Sequence, residues 1–247
     1  MGRGIAVKNL RVMIAGDSAP LMDSKYQTIV VAIGGDGTFV SACREFAGEN
    51  SLVVGIAGGS VNFLTSFSVI SDLSGLFGGT HKVSHRVLGS SKVYYKTTDS
   101  FSDPVTFAND VVIAPCDHKM VNCMITDDQG RLLADFKGDG VLISTPMGTT
   151  AYSLSMGGPL MHPTMQALLV TPRAPRNMAA RPIILPTHVG LRIHVDADCD
   201  LISDGLPDHA LHEFTVLHVD RGPDVLVALP EDYSFFEQAR QKLGWFK

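Results

Sequence analysis

Long apolar runs are missing from this 247-residue chain: no stretch approaches the roughly 18 residues that a membrane span requires. The segment Met1-Gly2-Arg3-Gly4-Ile5 lacks the apolar core of a signal peptide, and Ala6 stands where a myristoylation motif carries Ser or Thr. Basic residues are in deficit. The net charge is -5 and no basic run stands out, which argues against a general nucleic-acid binder, because phosphate backbones demand surplus Lys and Arg. Cysteine is scarce too: Cys43, Cys116, Cys123 and Cys199 are scattered and form no C-x-x-C pair. They read as reduced thiols of a cytoplasmic protein rather than a disulfide framework. There is no internal repeat and no low-complexity segment. What remains is an ordinary globular composition, 45% hydrophobic and 18% charged, long enough to bury a substantial core.

The pattern along the chain has two textures. Leu10-Arg11-Val12-Met13-Ile14 and Thr28-Ile29-Val30-Val31-Ala32-Ile33 are short apolar runs ended by glycine, as expected of strands buried in a parallel sheet. Phe39, Cys43 and Phe46 then recur at the spacing of one helix face, and Leu52-Val53-Val54-Gly55-Ile56 reads as another buried strand. Strand, turn, helix and strand in this order predict a βαβ unit of a Rossmann-like, doubly wound domain. From about Val83 the pattern becomes alternating. Val121, Cys123 and Ile125 lead to the turn Asp127-Asp128-Gln129-Gly130 and on to Leu132-Leu133, which predicts an antiparallel hairpin. Val189, Leu191, Ile193 and Val195 predict a strand with one buried face, and Phe214, Val216, Leu226 and Val227 predict further strands. Phe236, Ala239, Leu243 and Phe246 return to helical spacing after Pro230, which suits a helix start. The expected division is an α/β domain over residues 1–82 and a β-rich, sandwich-like domain over 83–229.

Chemistry enters at Gly34-Gly35-Asp36-Gly37-Thr38, where an apolar strand feeds directly into glycines. Residues without Cβ let the backbone turn sharply and bring N–H groups close to a ligand. A helix starting there adds partial positive charge, so Gly34, Gly35, Gly37 and Thr38 form a candidate phosphate cradle. Asp36 among those donors could take a proton from an attacking hydroxyl or orient Mg²⁺. The turn is neither a Walker loop nor a dinucleotide fingerprint. A plainer reading makes it a tight turn with Asp36 as the helix N-cap.

A second feature runs from Gly138 to Pro159: a buried strand leading into a loop dense in hydroxyls and glycines. Thr149 and Thr150 could cap a following helix, while Tyr152 could stack on a base and donate a hydrogen bond. Such a surface suits a nucleoside. Lys137, beside Gly138-Asp139-Gly140, is the better basic candidate for a phosphate partner, and Arg173, Arg176 and Arg181 could meet a diphosphate or be structural. His209-x-x-His212 with Asp208 has no third ligand of clear spacing, so no metal site is expected there.

Taken together these motifs resemble the NAD kinases. The resemblance rests on the glycine turn, Phe63-Leu64-Thr65, Asn109-Asp110, and Asp139-Gly140 through Ser144-Thr145-Pro146 and Gly148-Thr149-Thr150-Ala151-Tyr152-Ser153. It continues into His162-Pro163, Arg181-Pro182-Ile183-Ile184-Leu185-Pro186 and a later Asp204-Gly205. It implies transfer of a phosphoryl group from ATP or polyphosphate, with Mg²⁺ or another divalent cation, to the 2′-hydroxyl of the adenosine ribose of NAD. It implies Asp36 as general base or metal-organising carboxylate, with Gly37 beside it. Asn109 and Asp110 are expected to contact the adenosine part. Phe63, Thr150, Ala151, Tyr152 and Ser155 are expected to line the adenine pocket, and Asp139 to lie toward the nicotinamide. The resemblance also implies a last helix, within 230–247, that returns to the first domain, and a homo-oligomer, dimer or tetramer.

The chain departs from the family pattern in places. Ala57 replaces an Asn, Asn62 replaces a Gly, and Met147 stands where a Ser or Thr is frequent, removing a hydroxyl near the adenine and offering soft packing. Two other functions fit parts of the pattern. Gly59-Ser60-Val61-Asn62-Phe63 resembles a segment of the lipid and diacylglycerol kinases, which share the glycine turn. The intact Ser144 to Ser153 signature and the absence of an obvious amphipathic membrane helix argue against that reading. A non-catalytic NAD- or NADP-binding sensor is the third possibility, opposed by the retained Asp36, Asn109 and Asp110.

Overall fold

The computed structural model describes residues 10–12, 28–48, 50–58, 62–67, 80–117 and 119–244. Met13 and Ile14 of the first expected strand, Gly59-Ser60-Val61, and Phe246 of the final stripe lie outside the described residues. In chain order the described elements begin with β1 (Leu10–Val12), β2 (Thr28–Gly34), α1 (Asp36–Glu45), β3 (Ser51–Ala57) and β4 (His81–Tyr95). Then follow β5 (Ser100–Phe101), β6 (Val105–Phe107), β7 (Asp110–Pro115), β8 (Val121–Asp127), β9 (Leu132–Gly138) and β10 (Val141–Ser144). A 3-10 turn (Met147–Thr150) and the one-turn helix α2 (Tyr152–Ser155) lead to β11 (Ala167–Pro172), β12 (Ile183–Pro186) and β13 (Leu191–Val195). The chain continues through β14 (Cys199–Ser203), β15 (Leu206–Leu211), β16 (Thr215–Pro230) and α3 (Phe235–Leu243). Two compact units result, one formed by Met1–Arg86 with Asp224–Lys247 and the other by Val87–Pro223.

The first unit is built on a βαβ element. β2 and β3 pair in parallel from Thr28 with Ser51 to Gly34 with Ala57, and α1 connects them. The end of β16 adds a further parallel strand, Leu226 to Ala228 beside Leu52 to Val54. β1 departs from the expected parallel arrangement: it lies antiparallel to β2, a direction that apolar patterning does not encode. Val31, Leu52, Val54, Ile56, Phe67 and Ala228 form one core of this unit. Phe39 and Cys43 of the helix and Phe46 at its C-cap are buried, as the periodicity predicts, and Val40 and Ala42 are buried with them. Its approach to the sheet depends on Gly55, where a Cβ would lie 2.7 Å from the Phe39 ring.

The final helix differs from its sequence reading. Pro230 ends the long strand β16, and α3 starts only after Ser234, whose hydroxyl accepts the Glu237 N–H. Phe235 and Ala239 are its buried residues, while Phe236 is 64% exposed. With two phenylalanines side by side, spacing alone could not choose which ring packs.

The second unit is a β-sandwich. One sheet has the antiparallel order β12-β11-β10-β7-β14-β15. Facing it, β8 pairs with β9 as the expected hairpin and β13 lies between β8 and β16. Val111, Ile113, Val141, Ile143, Leu168 and Val170 from the first sheet meet Val121, Cys123, Ile125, Leu191, Ile193, Leu217 and Val219 in one buried cluster. Burial pushes the Cys123 and Cys199 thiols up to about 12, so these side chains behave as small apolar core residues. Among the described residues no helix is long and apolar enough to cross a membrane.

Candidate active site

In the first unit the glycine turn joins β2 to α1. Gly35, not Asp36, is the N-cap, and no side chain caps the helix. The Asp36 carboxylate instead reaches across the chain to accept the N–H of Phe63 at Oδ2 and of Leu64 at Oδ1, both at 2.8 Å. A carboxylate is favoured at this end of a helix by the peptide dipoles, and here it also fastens a distant loop. That loop is pinned at its other end, where the Phe67 N–H donates to the Gly55 carbonyl and the Ala57 N–H to the Phe67 carbonyl. Asn62, just ahead of the held residues, has φ +49°. This explains the Asn in place of Gly: the left-handed region favours glycine, and asparagine is among the few residues that tolerate it.

The glycines of the turn divide in role. A Cβ at Gly34 would lie 2.5 Å from Thr38 Oγ1, so this position is closed by packing. At Gly35 and Gly37 a Cβ would meet nothing within 4 Å among the described residues. The first N–H groups of a helix have no intrahelical acceptor, and such an end suits an anion. Phe63, expected at the adenine, is buried with its ring edge-on to Phe235 at 6.0 Å.

The second unit holds a cavity of about 380 Å³. Of the expected nucleoside residues, Asn109, Asp110, Ala151 and Tyr152 line it, joined by Val112, Ala114, Arg173, Ile202, Asp204 and Gly205. Alternation on β7 explains part of this list: Val111 and Ile113 enter the sandwich core, so Asp110, Val112 and Ala114 face the other way. The approach of the 3-10 turn to the Asn109 backbone requires glycine, since a Cβ at Gly148 would lie 1.9 Å from the Asn109 carbonyl oxygen. The Thr145 N–H donates to that same oxygen at 2.9 Å.

The hydroxyls of the signature do not cap a helix. Thr149 donates to the Pro146 carbonyl, Thr150 to that of Met147 and Ser155 to that of Tyr152, while α2 has Ala151 at its N-cap. Met147 is fully buried and is not among the residues that line the cavity, so its thioether packs in the interior. Lys137 and Asp139 are exposed. The Asp139 backbone is tied to the cavity wall through Arg173: its N–H donates to the Arg173 carbonyl at 2.8 Å, and its carbonyl accepts from Arg173 Nη1 at 3.0 Å. The Arg173 guanidinium lies 5.9 Å from the centre of the Tyr152 ring, which is 43% exposed.

Electrostatics single out Asp110. Burial, and then the charge of Asp204, push its carboxyl up to about 7. Asn109 Oδ1 is buried and has no hydrogen-bond partner among the described residues, an unmet acceptor beside a cavity. Sequence reasoning gave no role to Asp204, Val112, Ala114 or Ile202. The three apolar residues could have been found by strand alternation. Asp204 stands out in the sequence only as part of the Asp204-Gly205 pair, and its role is not legible there, because it meets its partners across more than ninety residues of chain.

Residues 16–77 match the ATP-NAD kinase N-terminal domain, and residues 108–230 match the ATP-NAD kinase C-terminal domain. A protein named NAD kinase from Syntrophobacter fumaroxidans is 33% identical over 88% of this chain and 78% of its own length. The chain belongs to the NAD kinase family. Another NAD kinase, from Saccharophagus degradans, is 30% identical over 98% of this chain and 88% of its own. Among solved structures, yeast NADH kinase complexed with NADH superposes with a TM-score of 0.82 at 27% identity, covering 89% of this chain and 66% of that one. An NAD kinase from Archaeoglobus fulgidus in complex with ATP gives 0.69 at 18% identity, over 87% of this chain and 81% of that one, which shows the shared fold.

Proposed function

We propose that the chain phosphorylates the 2′-hydroxyl of the adenosine ribose of NAD, with the second unit holding NAD and the glycine turn of the first handling the phosphoryl donor. NAD kinase activity with ATP follows from membership of the family. The observation that carries the residue assignment is the cavity wall of Asn109, Asp110 and Tyr152, where a buried, unpartnered amide oxygen stands beside a carboxyl pushed up to about 7. Adenosine offers N–H and O–H donors for these acceptors and a π-face for the tyrosine ring.

Asp36 serves as proton acceptor for the attacking hydroxyl or as organiser of a divalent cation. Its two oxygens each accept one N–H and keep further acceptor capacity. That donor set fits Mg²⁺, which takes one or two carboxylates and completes its shell with phosphate oxygens and water. Among the described residues no group of three or more His, Cys, Asp or Glu side chains gathers as a separate metal site. When bound with the donor, the cation would offset charge on the phosphoryl oxygens. The assignment extends to Thr150, Ser155 and Asp139 as further NAD contacts and to Lys137 as a phosphate partner. Polyphosphate as an alternative donor, a homo-oligomer and a cytoplasmic location complete the reading; the few, scattered cysteines with no C-x-x-C pair support the last.

The test is direct. The protein is incubated with Mg²⁺, NAD or NADH, and either ATP or polyphosphate, and NADP or NADPH formation is followed. Turnover with ATP that vanishes in Asp36→Asn supports the reading. NAD binding without turnover, or a lipid as the only phosphorylated product, overturns it.

A further inference from the structure

Asp204 occupies the turn between β14 and β15 with φ +49°, in the left-handed region that few residues other than glycine adopt. Its carboxylate gathers three consecutive backbone donors. The Ala108 N–H reaches Oδ2 at 2.7 Å, and the N–H groups of Asn109 and Asp110 reach Oδ1 at 2.7 and 3.0 Å. The contact is reciprocal, because the Asp204 N–H donates to the Asp110 carbonyl at 2.8 Å. Three N–H groups converging on one side chain select a carboxylate. An amide in its place offers one acceptor oxygen and turns its NH₂ toward a donor. The residues whose backbones are held this way include the two whose side chains line the cavity as the candidate adenosine contacts.

We propose that Asp204 is a positioning residue for nucleoside recognition, fixing Asn109 and Asp110 through the backbone donors it gathers. The proposal rests on the reading that these two residues contact the adenosine of NAD. Asp204 acts on binding through the loop it holds and takes no part in proton transfer. Its charge also adds, after burial, to the rise in the Asp110 carboxyl's pKa, so the side chain that holds its neighbour in place also bears on its charge. The pocket's other charged lining residue, Arg173, stays bound to the Asp139 and Ile113 carbonyls.

The experiment compares Asp204→Asn, Asp204→Gly and Asn109→Ala in the full chain, by kcat, the KM values for NAD and ATP, and calorimetric NAD affinity. Asn and Gly both tolerate the left-handed backbone, so without straining the turn Asn replaces one acceptor oxygen with an NH₂ and Gly removes both oxygens. The expected result for each Asp204 variant is an NAD KM and dissociation constant raised about tenfold, with kcat and the ATP KM within about threefold of the parent. Combining Asp204→Asn with Asn109→Ala should cost less than the product of the two single effects, because part of what Asp204 orders is already gone in Asn109→Ala while its hold on Asp110 remains. Unchanged NAD affinity in the Asp204 variants alongside weakened affinity in Asn109→Ala overturns the proposal and leaves the adenosine reading standing. A fall in kcat alone, or equal losses in both KM values with a lowered melting temperature, overturns it as well. Unchanged affinity in Asn109→Ala removes the adenosine reading and the proposal together.

Discussion

Asp36 and Asp204 are both carboxylates held by backbone N–H groups, but their surroundings put them to opposite uses. Asp36 takes two donors, from Phe63 and Leu64, and stands at the start of α1 between Gly35 and Gly37, whose Cβ positions meet no described residue within 4 Å. Asp204 takes three donors from consecutive residues and sits in a left-handed turn. Each carboxylate oxygen accommodates about two hydrogen bonds. Asp36 therefore keeps capacity for a proton or a cation, while Asp204 spends most of its own on architecture. The contrast separates a group available for chemistry from one that orders the groups around it, although both look alike as an Asp beside a Gly.

The sharpest way to break this contrast is to neutralise Asp36. Asp36→Asn should lower kcat for NADP formation by about 10²–10⁴-fold, the range for loss of a general base, while calorimetry shows NAD still bound. An equal loss of kcat in Asp204→Asn would erase the distinction. A smaller effect is expected from Gly148→Ala, whose new methyl meets the Asn109 carbonyl. Urea unfolding should show a loss of about 1–3 kcal/mol, with a raised NAD KM. Full stability and an unchanged KM would mean that the loop held by Asp204 can yield. Tyr152→Ala should raise the NAD KM about tenfold at constant kcat, in keeping with the value of one base–aromatic stack. An unchanged KM would take the ring out of the binding surface.

The last effect is on stability against pH. Burial first, and the Asp204 charge second, push the Asp110 carboxyl up to about 7, above its ordinary 3.8. A carboxyl that ionises less readily in the folded chain favours folding fully below its ordinary range. That contribution is lost as pH rises through about 7. Asp110→Asn has no such loss, so its stability relative to the parent should improve between about pH 5 and pH 8, as followed by thermal melting. A constant difference would show that Asp110 is already ionised in the folded protein.

What could be read from the sequence was local. The glycine turn, the face of α1 and the β8–β9 hairpin depend on neighbours within a few residues, and each was legible from spacing and turn chemistry. The antiparallel course of β1 was not, because a strand's apolar pattern reads the same in either direction. Nor was the choice of Phe235 over Phe236 as the buried ring of α3, where adjacent aromatics satisfy the same period within one step. In the candidate site, Asn109, Asp110 and Tyr152 were found through a family resemblance. The hydroxyls of Thr149 and Thr150 were misread as caps, since their bonds to preceding carbonyls depend on a 3-10 turn that composition does not announce. For Asp204 the family resemblance supplies the residue but not its role, because its partners are set by the pairing of β14 with β7, far apart in the chain.

The first unit is made from both ends of the described chain, and this has a bearing on its birth at the ribosome. Its sheet takes Leu226 to Ala228 as a strand, and Phe63 packs on Phe235, so it lacks part of its interior until residues after 224 have been synthesised. The second unit, Val87–Pro223, is continuous and has all its parts in hand earlier. Domains tend to fold as units once their residues have emerged, and distant contacts form late because of the entropy of closing long loops. The cavity of the second unit thus precedes the completed sheet of the first in the life of each molecule, and a nascent chain of which only Met1–Pro223 has emerged would carry the one without the other.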